Sequence, residues 1–276
     1  MRTRSSNRPV LLAAGVGAAA LLVLSACSDS DDGSGSGSDA GKDGAGSASG
    51  ELSGEITVFA AASLTESFEE LGAQFERDHP GTKVTFSFGG SDALAASITG
   101  GAPADVFASA SPTTMDIVTE AGAAAGTPET FVRNRLEIAT LPGNPDGVAS
   151  LKDLTGPGLK VVLCDEAVPC GSAAQKALDA GSLKLTPVSY EEDVKSALNK
   201  VVLKEADAAV VYKTDVRAAG GKVEGVDFPE SADAINDYPI TLLEDAPNTA
   251  AAEAFVELVR SAEGQKVLTG AGFLKP

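Results

Sequence analysis

The chain has 276 residues, and its 39 acidic side chains outnumber its 21 basic ones, which gives a formal net charge of −18. This excess of negative charge argues against nucleic acid as a partner, because a phosphate backbone is bound by neutralising it with Lys and Arg. Any anion that the protein binds must be held against the protein's own field, by local dipoles and hydrogen-bond donors.

The N-terminal segment has the composition of an export signal. Three arginines lie within the first eight residues, and residues 10–24 form an apolar run that is too short to span a membrane. The Leu-Ser-Ala-Cys sequence that ends at Cys27 resembles a bacterial lipobox, in which this cysteine becomes the lipidated first residue of the mature chain. We therefore predict a lipoprotein signal peptide over residues 1–27 and an extracytoplasmic protein anchored to the cell membrane. The alternative is an ordinary cleaved signal with a chance cysteine.

The segment after Cys27 cannot form a core. Residues 28–50 contain only Ser, Asp, Gly, Ala and Lys, so we predict a flexible tether over residues 28–51. The remaining residues, about 225 in number, suffice for one large or two small α/β lobes.

The first segment of that region with a clear pattern surrounds Ser63. An apolar run over residues 56–62 ends there, and apolar residues then recur at helical spacing. These residues are Leu64, Phe68, Leu71 and Phe75. Ser63 is thus predicted to be the N-cap of a helix, with Glu66 as its capping-box partner. A strand that leads into a helix N-terminus directs free N–H groups at one point, which is a typical anion site. The alternative is that Ser63 only caps the helix.

Strand and helix patterns alternate along the rest of the chain, which predicts parallel sheets covered by helices. The predicted strands lie at residues 56–61, 84–88, 106–109, 137–140, 160–163, 208–212 and 240–243. The predicted helices lie at residues 64–75, 93–99, 114–120, 172–179, 191–203 and 249–258.

Two cysteines remain in the exported region. Cys164 and Cys170 are six residues apart, and an even pair in an oxidising compartment predicts a disulfide. A metal site needs more ligands than the sequence offers, since the one histidine, His79, precedes Pro80 in a predicted turn. We predict no cofactor and no metal site formed by side chains.

Four segments share one form, in which an extended run leads through small residues into a helix. They lie at residues 61–64, 88–91, 168–172 and 189–194. The first three contain neither Lys nor Arg. Such loops lie at the carboxyl ends of the strands in an α/β sheet, where ligands bind. Neutral N–H and O–H donors that converge there can satisfy a small oxyanion without a counter-charge.

Several stretches together resemble the molybdate-binding proteins of bacterial ABC transporters. They lie at residues 58–65, 101–110, 168–171 and 206–215, and the Gly-Ala-Pro-Ala-Asp-Val-Phe run from Gly101 is the most specific of them. The resemblance implies a two-lobed α/β periplasmic-binding-protein fold of type II, with the ligand in the cleft. One lobe is expected to comprise residues 52–135 plus 239–276, and the other residues 136–238. It also implies a monomer that is not an enzyme and that captures molybdate or tungstate for a membrane permease.

The resemblance also implies the ligand-binding residues. By motif position these are the hydroxyls of Ser63 and Ser91, the backbone N–H groups of Cys170 and Val194, and the hydroxyl of Tyr212. The alternatives are that Ser91 only caps a helix and that Tyr212 is a core residue at the end of a strand.

Three charged residues lie next to the predicted ligand-binding residues. Asp92 follows Ser91 where the family commonly has Ser or Gly, and a carboxylate beside an oxyanion is unfavourable unless it points away or is protonated. Lys195 and Lys213 adjoin two of the site positions and are predicted to be solvated.

Two other functions are considered. One is a binding protein for another tetrahedral oxyanion such as sulfate. The other is an exported serine hydrolase with Ser63 as nucleophile, which needs a general base within reach. The sequence contains no Gly-x-Ser-x-Gly elbow, and His79 lies in a predicted turn beyond the helix.

Overall fold

The structure is a computed structural model that describes residues 52–276. The predicted signal peptide of residues 1–27, with Cys27, and the predicted tether of residues 28–51 lie outside the described residues. Within residues 52–276, no helix combines the length and the apolar character that crossing a membrane requires.

The described chain forms two five-stranded sheets. In spatial order, the first sheet contains β2 (Gly81–Gly89), β1 (Ser53–Ala61), β3 (Val106–Ala108), β10 (Asn236–Leu243) and β4 (Ala124–Asn134). The second contains β7 (Ser189–Glu191), β6 (Val161–Cys164), β8 (Ala208–Tyr212), β5 (Leu136–Thr140) and β9 (Glu224–Val226).

Both sheets are mixed, although parallel sheets were predicted. In the first sheet β10 runs antiparallel to both of its neighbours, and in the second sheet β5 does so. Each of these two strands follows a passage of the chain from the other sheet, so it enters its sheet in the opposite direction. The predicted α/β class with two lobes of the type II periplasmic-binding fold is confirmed, with this one antiparallel strand in each sheet.

In the described part of the chain, eight α-helices flank the sheets. They are α1 (Thr65–Asp78), α2 (Ser91–Thr99), α3 (Pro112–Glu120), α4 (Pro169–Ala180), α5 (Val194–Val202), α6 (Lys213–Ala218), α7 (Thr249–Arg260) and α8 (Ala262–Ala271). Short 3-10 turns lie at Ala62–Leu64, Leu151–Thr155 and Pro229–Ala234.

Each sheet has its own apolar core. In the first sheet, one core packs Val58 and Ala60 of β1 against Phe68 of α1 and Phe255 of α7. The opposite face packs Phe107 of β3 with α2 and α3. Successive side chains of a strand point to opposite faces, so a strand covered on both faces is apolar throughout. The core of the second sheet is built mainly from Val, Leu and Ala.

Between residues 52 and 276 the chain passes from one sheet to the other twice. The first passage lies between Asn134 of β4 and Leu136 of β5, and the second lies between β9 and Asn236 of β10. The lobe boundaries after residues 135 and 238 remain predictions, and β10 begins three residues before the second of them.

Candidate functional site

The predicted ligand-binding residues all line one small cavity between the two sheets. It encloses about 200 Å³ of space not filled by protein atoms, part of which is open to solvent. Its lining comprises Ala61, Ala62, Ser63, Gly89, Gly90, Ser91, Ala110, Val168, Pro169, Cys170, Asp193, Val194 and Tyr212. These residues follow the carboxyl ends of strands from both sheets, which is where α/β folds bind ligands. Among the described residues that line the cavity, none is Lys or Arg.

Ser63 lies in the cavity, but it is not the predicted N-cap. A 3-10 turn over Ala62–Leu64 precedes α1, whose N-cap residue is Leu64. The Ser63 Oγ lies 2.8 Å from the Tyr238 hydroxyl instead of accepting from an N–H group of the first turn. The predicted capping box is therefore wrong, because the serine hydroxyl contacts the distant Tyr238, which is buried behind the cavity wall.

Ser91 is the first residue of α2, and Gly90 is the N-cap, so Ser91 does not cap this helix. Its Oγ accepts a hydrogen bond of 3.0 Å from the backbone N–H of Ala110. A hydroxyl has one proton to donate, and that proton remains available for the cavity. Asp92 is absent from the residues that line the cavity. Its Oδ1 is nevertheless buried without a hydrogen-bond partner among the described residues, and it lies 2.7 Å from the position of a Cβ built on Gly90, which does line the cavity.

The wall around Cys170 is formed by the first turn of α4. The first backbone bond of this helix runs from Ser172 N–H to the Val168 carbonyl, so the N–H groups of Cys170 and Gly171 precede the helical ladder. A disulfide joins Cys170 to Cys164 at the end of β6, with the Cα atoms 5.8 Å apart. A Cβ at Gly171 would lie 1.9 Å from the Asp165 carbonyl oxygen, so this tight loop requires glycine.

Val194 occupies the equivalent place in α5. The N-cap of α5 is Asp193, whose Oδ1 accepts a hydrogen bond from the Ser196 N–H at 2.8 Å. The carbonyl of Asp193 accepts from Ala197 at 3.1 Å. The N–H groups of Val194 and Lys195 therefore precede the intrahelical bonds, and the Val194 side chain is buried in the core of the second sheet. Two helix N-termini from this sheet thus meet the two serine hydroxyls from the other.

The Tyr212 side chain is fully buried at the end of β8. Its hydroxyl accepts a hydrogen bond of 2.9 Å from the Asn236 side-chain amide. Burial, with a contribution from the neighbouring Tyr238, raises the pKa of Tyr212 well above its usual value. The hydroxyl therefore keeps its proton at neutral pH and can donate it.

The cavity thus offers hydroxyl and backbone N–H donors from two sheets, with no cation among the residues that line it. The matches to known proteins agree with this geometry. The family model of the bacterial extracellular solute-binding proteins matches residues 56–274. The chain belongs to this family. The resemblance inferred from the sequence is confirmed by a molybdate-binding protein of Mycobacterium tuberculosis, which is 46% identical over 80% of this chain and 85% of its own length.

Two further relatives are informative. A molybdate-binding protein of Escherichia coli is 33% identical over 80% of this chain and 89% of its own length. A solved periplasmic molybdate-binding protein of Azotobacter vinelandii superposes with a TM-score of 0.71, covers 80% of this chain and 99% of its own, and shares 22% identity. At that identity the superposition supports the fold. The sequence relatives place this solute-binding protein with proteins named for molybdate.

The hydrolase alternative fails on geometry as well as on family. His79 is the C-terminal cap of α1, and its ring packs against Phe75 with centroids 4.7 Å apart. Ser63 lies beyond the other end of this helix, whose 14 residues span about 20 Å. The histidine is therefore out of reach of the serine hydroxyl, and this solute-binding protein is not an enzyme.

Three polar residues beside the site were not found from the sequence. Asn134, Asn236 and Tyr238 are buried behind the cavity wall and hydrogen-bond to groups near it. Their partners lie as far as 175 residues away along the chain. The available signal was the presence of Asn and Tyr in otherwise apolar strands.

Lys195 is not solvated as predicted, because it lies between two carboxylates. Its Nζ is 2.8 Å from both carboxylate oxygens of Glu66 in α1 and 3.1 Å from Asp215 Oδ1 in α6. This ion pair connects a helix of the first sheet with two helices of the second, beside the cavity. Lys213 is likewise paired, with Glu137 and Asp227.

Asp215 gives the protein a predictable response to pH. Burial raises the pKa of this carboxyl to about 6 from its ordinary 3.8, although the Lys195 ammonium opposes the shift. Between about pH 4 and 6 the folded protein holds a proton that the unfolded chain has lost, so this group makes the free energy of unfolding fall as the pH rises. In the Asp215→Asn variant, the decrease in the free energy of unfolding over this pH range is expected to be smaller by about 2 kcal/mol.

The measurement is urea unfolding of both proteins at several pH values from 4 to 7. The asparagine oxygen can still accept from the Tyr212 N–H, as Asp215 Oδ2 does at 3.2 Å, so the variant should fold. Parallel curves for the two proteins would show that Asp215 titrates at its ordinary value.

Proposed function

We propose that this protein captures molybdate in the cavity between its two sheets, as a binding component of an ABC importer. Five groups would hold the oxyanion: the hydroxyls of Ser63, Ser91 and Tyr212, and the backbone N–H groups of Cys170 and Val194. The observation that carries the proposal is that these five, chosen by motif position, line one cavity. They do so in a chain that is 46% identical to a named molybdate-binding protein.

The physical basis is neutral donation to a charged ligand. A hydrogen bond to a charged group contributes about 1.5–3 kcal/mol, so several donors together suffice for tight binding. The first turns of α4 and α5 add the positive ends of their helix dipoles. An acidic protein can hold a dianion in this way, because the donors act at contact distance, whereas the net charge acts through solvent and salt.

The lobes also have to move apart for the ligand to enter. All five proposed residues are almost completely buried, with Ser63, at 4%, the most exposed of them. The first and second sheets therefore close around the ligand and separate for its release, which is the hinge motion expected of two lobes joined by two strands.

Tungstate is the second ligand that this site should accept, since it has the same charge and nearly the same size as molybdate. Sulfate is the weaker alternative, because the relatives at 46% and 33% identity are both named for molybdate. Discrimination against sulfate would depend on its smaller size.

Calorimetric titration of the purified protein with molybdate, tungstate, sulfate and phosphate tests the proposal. We expect molybdate and tungstate to bind at one site per chain, and sulfate and phosphate to bind far more weakly. Tightest binding of sulfate would support the alternative ligand. Heat from none of the four anions would contradict an oxyanion site.

The same proposal also covers the location of the protein in the cell and its partners. The protein would be a monomer, tethered outside the cytoplasmic membrane through a lipid on Cys27 and the segment of residues 28–51, and it would deliver its ligand to a membrane permease. Retention of the Cys27→Ser variant in the membrane fraction would contradict the tether.

A further inference from the structure

A cluster of three charged side chains crosses the cleft between the two lobes, next to the cavity. It consists of Glu66 in α1, Lys195 in α5 and Asp215 in α6. The Lys195 ammonium lies 2.8 Å from both carboxylate oxygens of Glu66 and 3.1 Å from Asp215 Oδ1. Hydrogen bonds between ions are stronger than those between neutral groups, so Lys195 holds the two carboxylates together.

Each member of this cluster lies within three residues of a proposed ligand donor. The pairs of donor and cluster member are Ser63 with Glu66, Val194 with Lys195, and Tyr212 with Asp215. Asp215 is also tied to its donor residue directly, because its Oδ2 accepts from the Tyr212 N–H at 3.2 Å. The cluster therefore connects chain segments from both lobes that contain three of the five proposed donors.

The two ion pairs of Lys195 differ in what they join. Glu66 lies on α1, which packs into the core of the first sheet through Phe68. Lys195 lies on α5, which packs into the core of the second sheet through its neighbour Val194. Asp215 lies on α6, which follows β8 of the same second sheet. Separation of the lobes must therefore break the pair with Glu66 and can leave the pair with Asp215 intact.

The exposure of the two carboxylates fits this division. The Asp215 side chain is 0% exposed, so without Lys195 it would be a buried carboxylate with no counter-charge. The Glu66 side chain is 52% exposed and can be hydrated by solvent when it leaves Lys195. Asp215 thus keeps the ammonium in place in the second lobe, and Glu66 of the first lobe meets it on closure.

We propose that Glu66 and Lys195 are positioning residues, which form a latch that holds the lobes closed over the bound oxyanion. Neither side chain is among those that line the cavity, so the pair would act by keeping Ser63 and Val194 at their closed separation. The latch forms only when the lobes meet, so it would slow the release of the ligand rather than speed its entry. This inference rests on the proposed function of the same cavity.

The charge of Glu66 alone would have the opposite effect on binding. A carboxylate beside the cavity repels a dianion, so its removal should tighten binding if repulsion were its only influence. A latch predicts instead that its removal weakens binding. The direction of the change in affinity therefore separates the two.

The test is calorimetric titration of the Glu66→Ala variant with molybdate. We expect the affinity to fall about fivefold, the effect of one half-exposed ion pair. A chase of labelled molybdate with unlabelled molybdate should show that dissociation is faster by about the same factor, with little change in the association rate. The Lys195–Asp215 pair remains in this variant, so the second lobe should fold as in the parent.

The matched control is Glu205→Ala. Glu205 is 53% exposed and pairs with Lys200 at 2.8 Å, and both residues belong to the second lobe. This variant removes the same charge and the same kind of ion pair without a change in the cleft. Its affinity and its dissociation rate should equal those of the parent.

A background without the ammonium separates a latch from a change within α1. In the double variant Lys195→Met with Asp215→Asn, neutral groups replace the buried ion pair, so neither partner is left charged and unpaired. There, Glu66→Ala should no longer weaken molybdate binding. An equal loss of affinity in both backgrounds would overturn the inference.

Glu66→Lys gives a second comparison should that background not fold. It places an ammonium opposite Lys195, so a latch predicts weaker molybdate binding than in Glu66→Ala. Charge alone predicts tighter binding of the dianion.

The outcomes distinguish the latch from the proposed function. A parent that binds molybdate, with equal or tighter binding in Glu66→Ala, overturns the latch and leaves the proposed function standing. A parent that does not bind molybdate contradicts the proposed function, and the latch falls with it.

Discussion

Replacing Gly90 by Ala is expected to weaken molybdate binding about ten- to hundredfold while leaving the ligand-free protein nearly as stable as the parent. A Cβ at this position would lie 2.6 Å from the Glu192 carbonyl oxygen. Gly90 follows β2 of the first sheet and Glu192 follows β7 of the second. The added methyl group would thus keep the two lobes apart at the edge of the cavity, where their closure brings the donors together.

The control for this variant is Gly89→Ala. Gly89 also lines the cavity, but its nearest neighbour for an added Cβ is Leu94 Cδ2 at 3.9 Å, an ordinary contact. The affinity of this control for molybdate should match that of the parent within about twofold. The account of lobe closure is wrong if Gly90→Ala binds as tightly as Gly89→Ala, or if both variants lose stability without ligand.

Removing the Tyr212 hydroxyl is the second change with a large expected effect. Tyr212→Phe keeps the buried ring and deletes one donor to a charged ligand, which corresponds to about 1.5–3 kcal/mol, or a ten- to hundredfold loss of molybdate affinity. Without ligand the variant loses the acceptor of the Asn236 amide, which retains the Ala110 carbonyl at 2.8 Å. The Tyr212→Phe variant should therefore still fold.

Titration calorimetry measures the affinity, and thermal unfolding without ligand confirms that the variant is folded. The matched control is Tyr190→Phe, because Tyr190 is 53% exposed in β7 and its hydroxyl has no role in the cavity. An affinity of Tyr212→Phe equal to that of Tyr190→Phe would show that Tyr212 is a packing residue, the alternative considered from the sequence.

Local patterns predicted the site well where neighbours along the chain determine the structure. The loops around Ser63, Ser91 and Cys170 lie between a strand and a helix N-terminus as expected, because small residues and helical periodicity are short-range signals. The role of Ser63 as a cap was wrong for a long-range reason. Its hydroxyl contacts Tyr238, 175 residues away, so the first turn of α1 forms without it.

The elements that were missed have weak local signals. β4 carries Gly126, Pro128 and Glu129 within its 11 residues, and its pairing with β10 shifts register twice, so no alternating pattern is visible. α8 contains two glycines, which lower helix propensity, and it is stabilised by packing against α7 and α1.

The sequence did not predict the buried polar pairs. Lys195 was predicted to be solvated, but it forms ion pairs with Glu66 and Asp215, which lie on two other helices. Asn236 lies outside the predicted strand of residues 240–243, but it starts β10 and joins both lobes through Ala110 and Tyr212. Such contacts follow from the tertiary arrangement, which no local window contains.

The central claim is that neutral donors hold a dianion inside an acidic protein. Its most direct test is thermal or urea unfolding with and without molybdate, at about 50 mM and about 500 mM salt. At a thousandfold excess over the dissociation constant, ligand linkage predicts about 4 kcal/mol of added stability. We expect this gain to be nearly the same at both salt concentrations, because a buried site is screened far less than surface charge. A gain that disappears at the higher salt concentration, or no gain at either, would contradict the account.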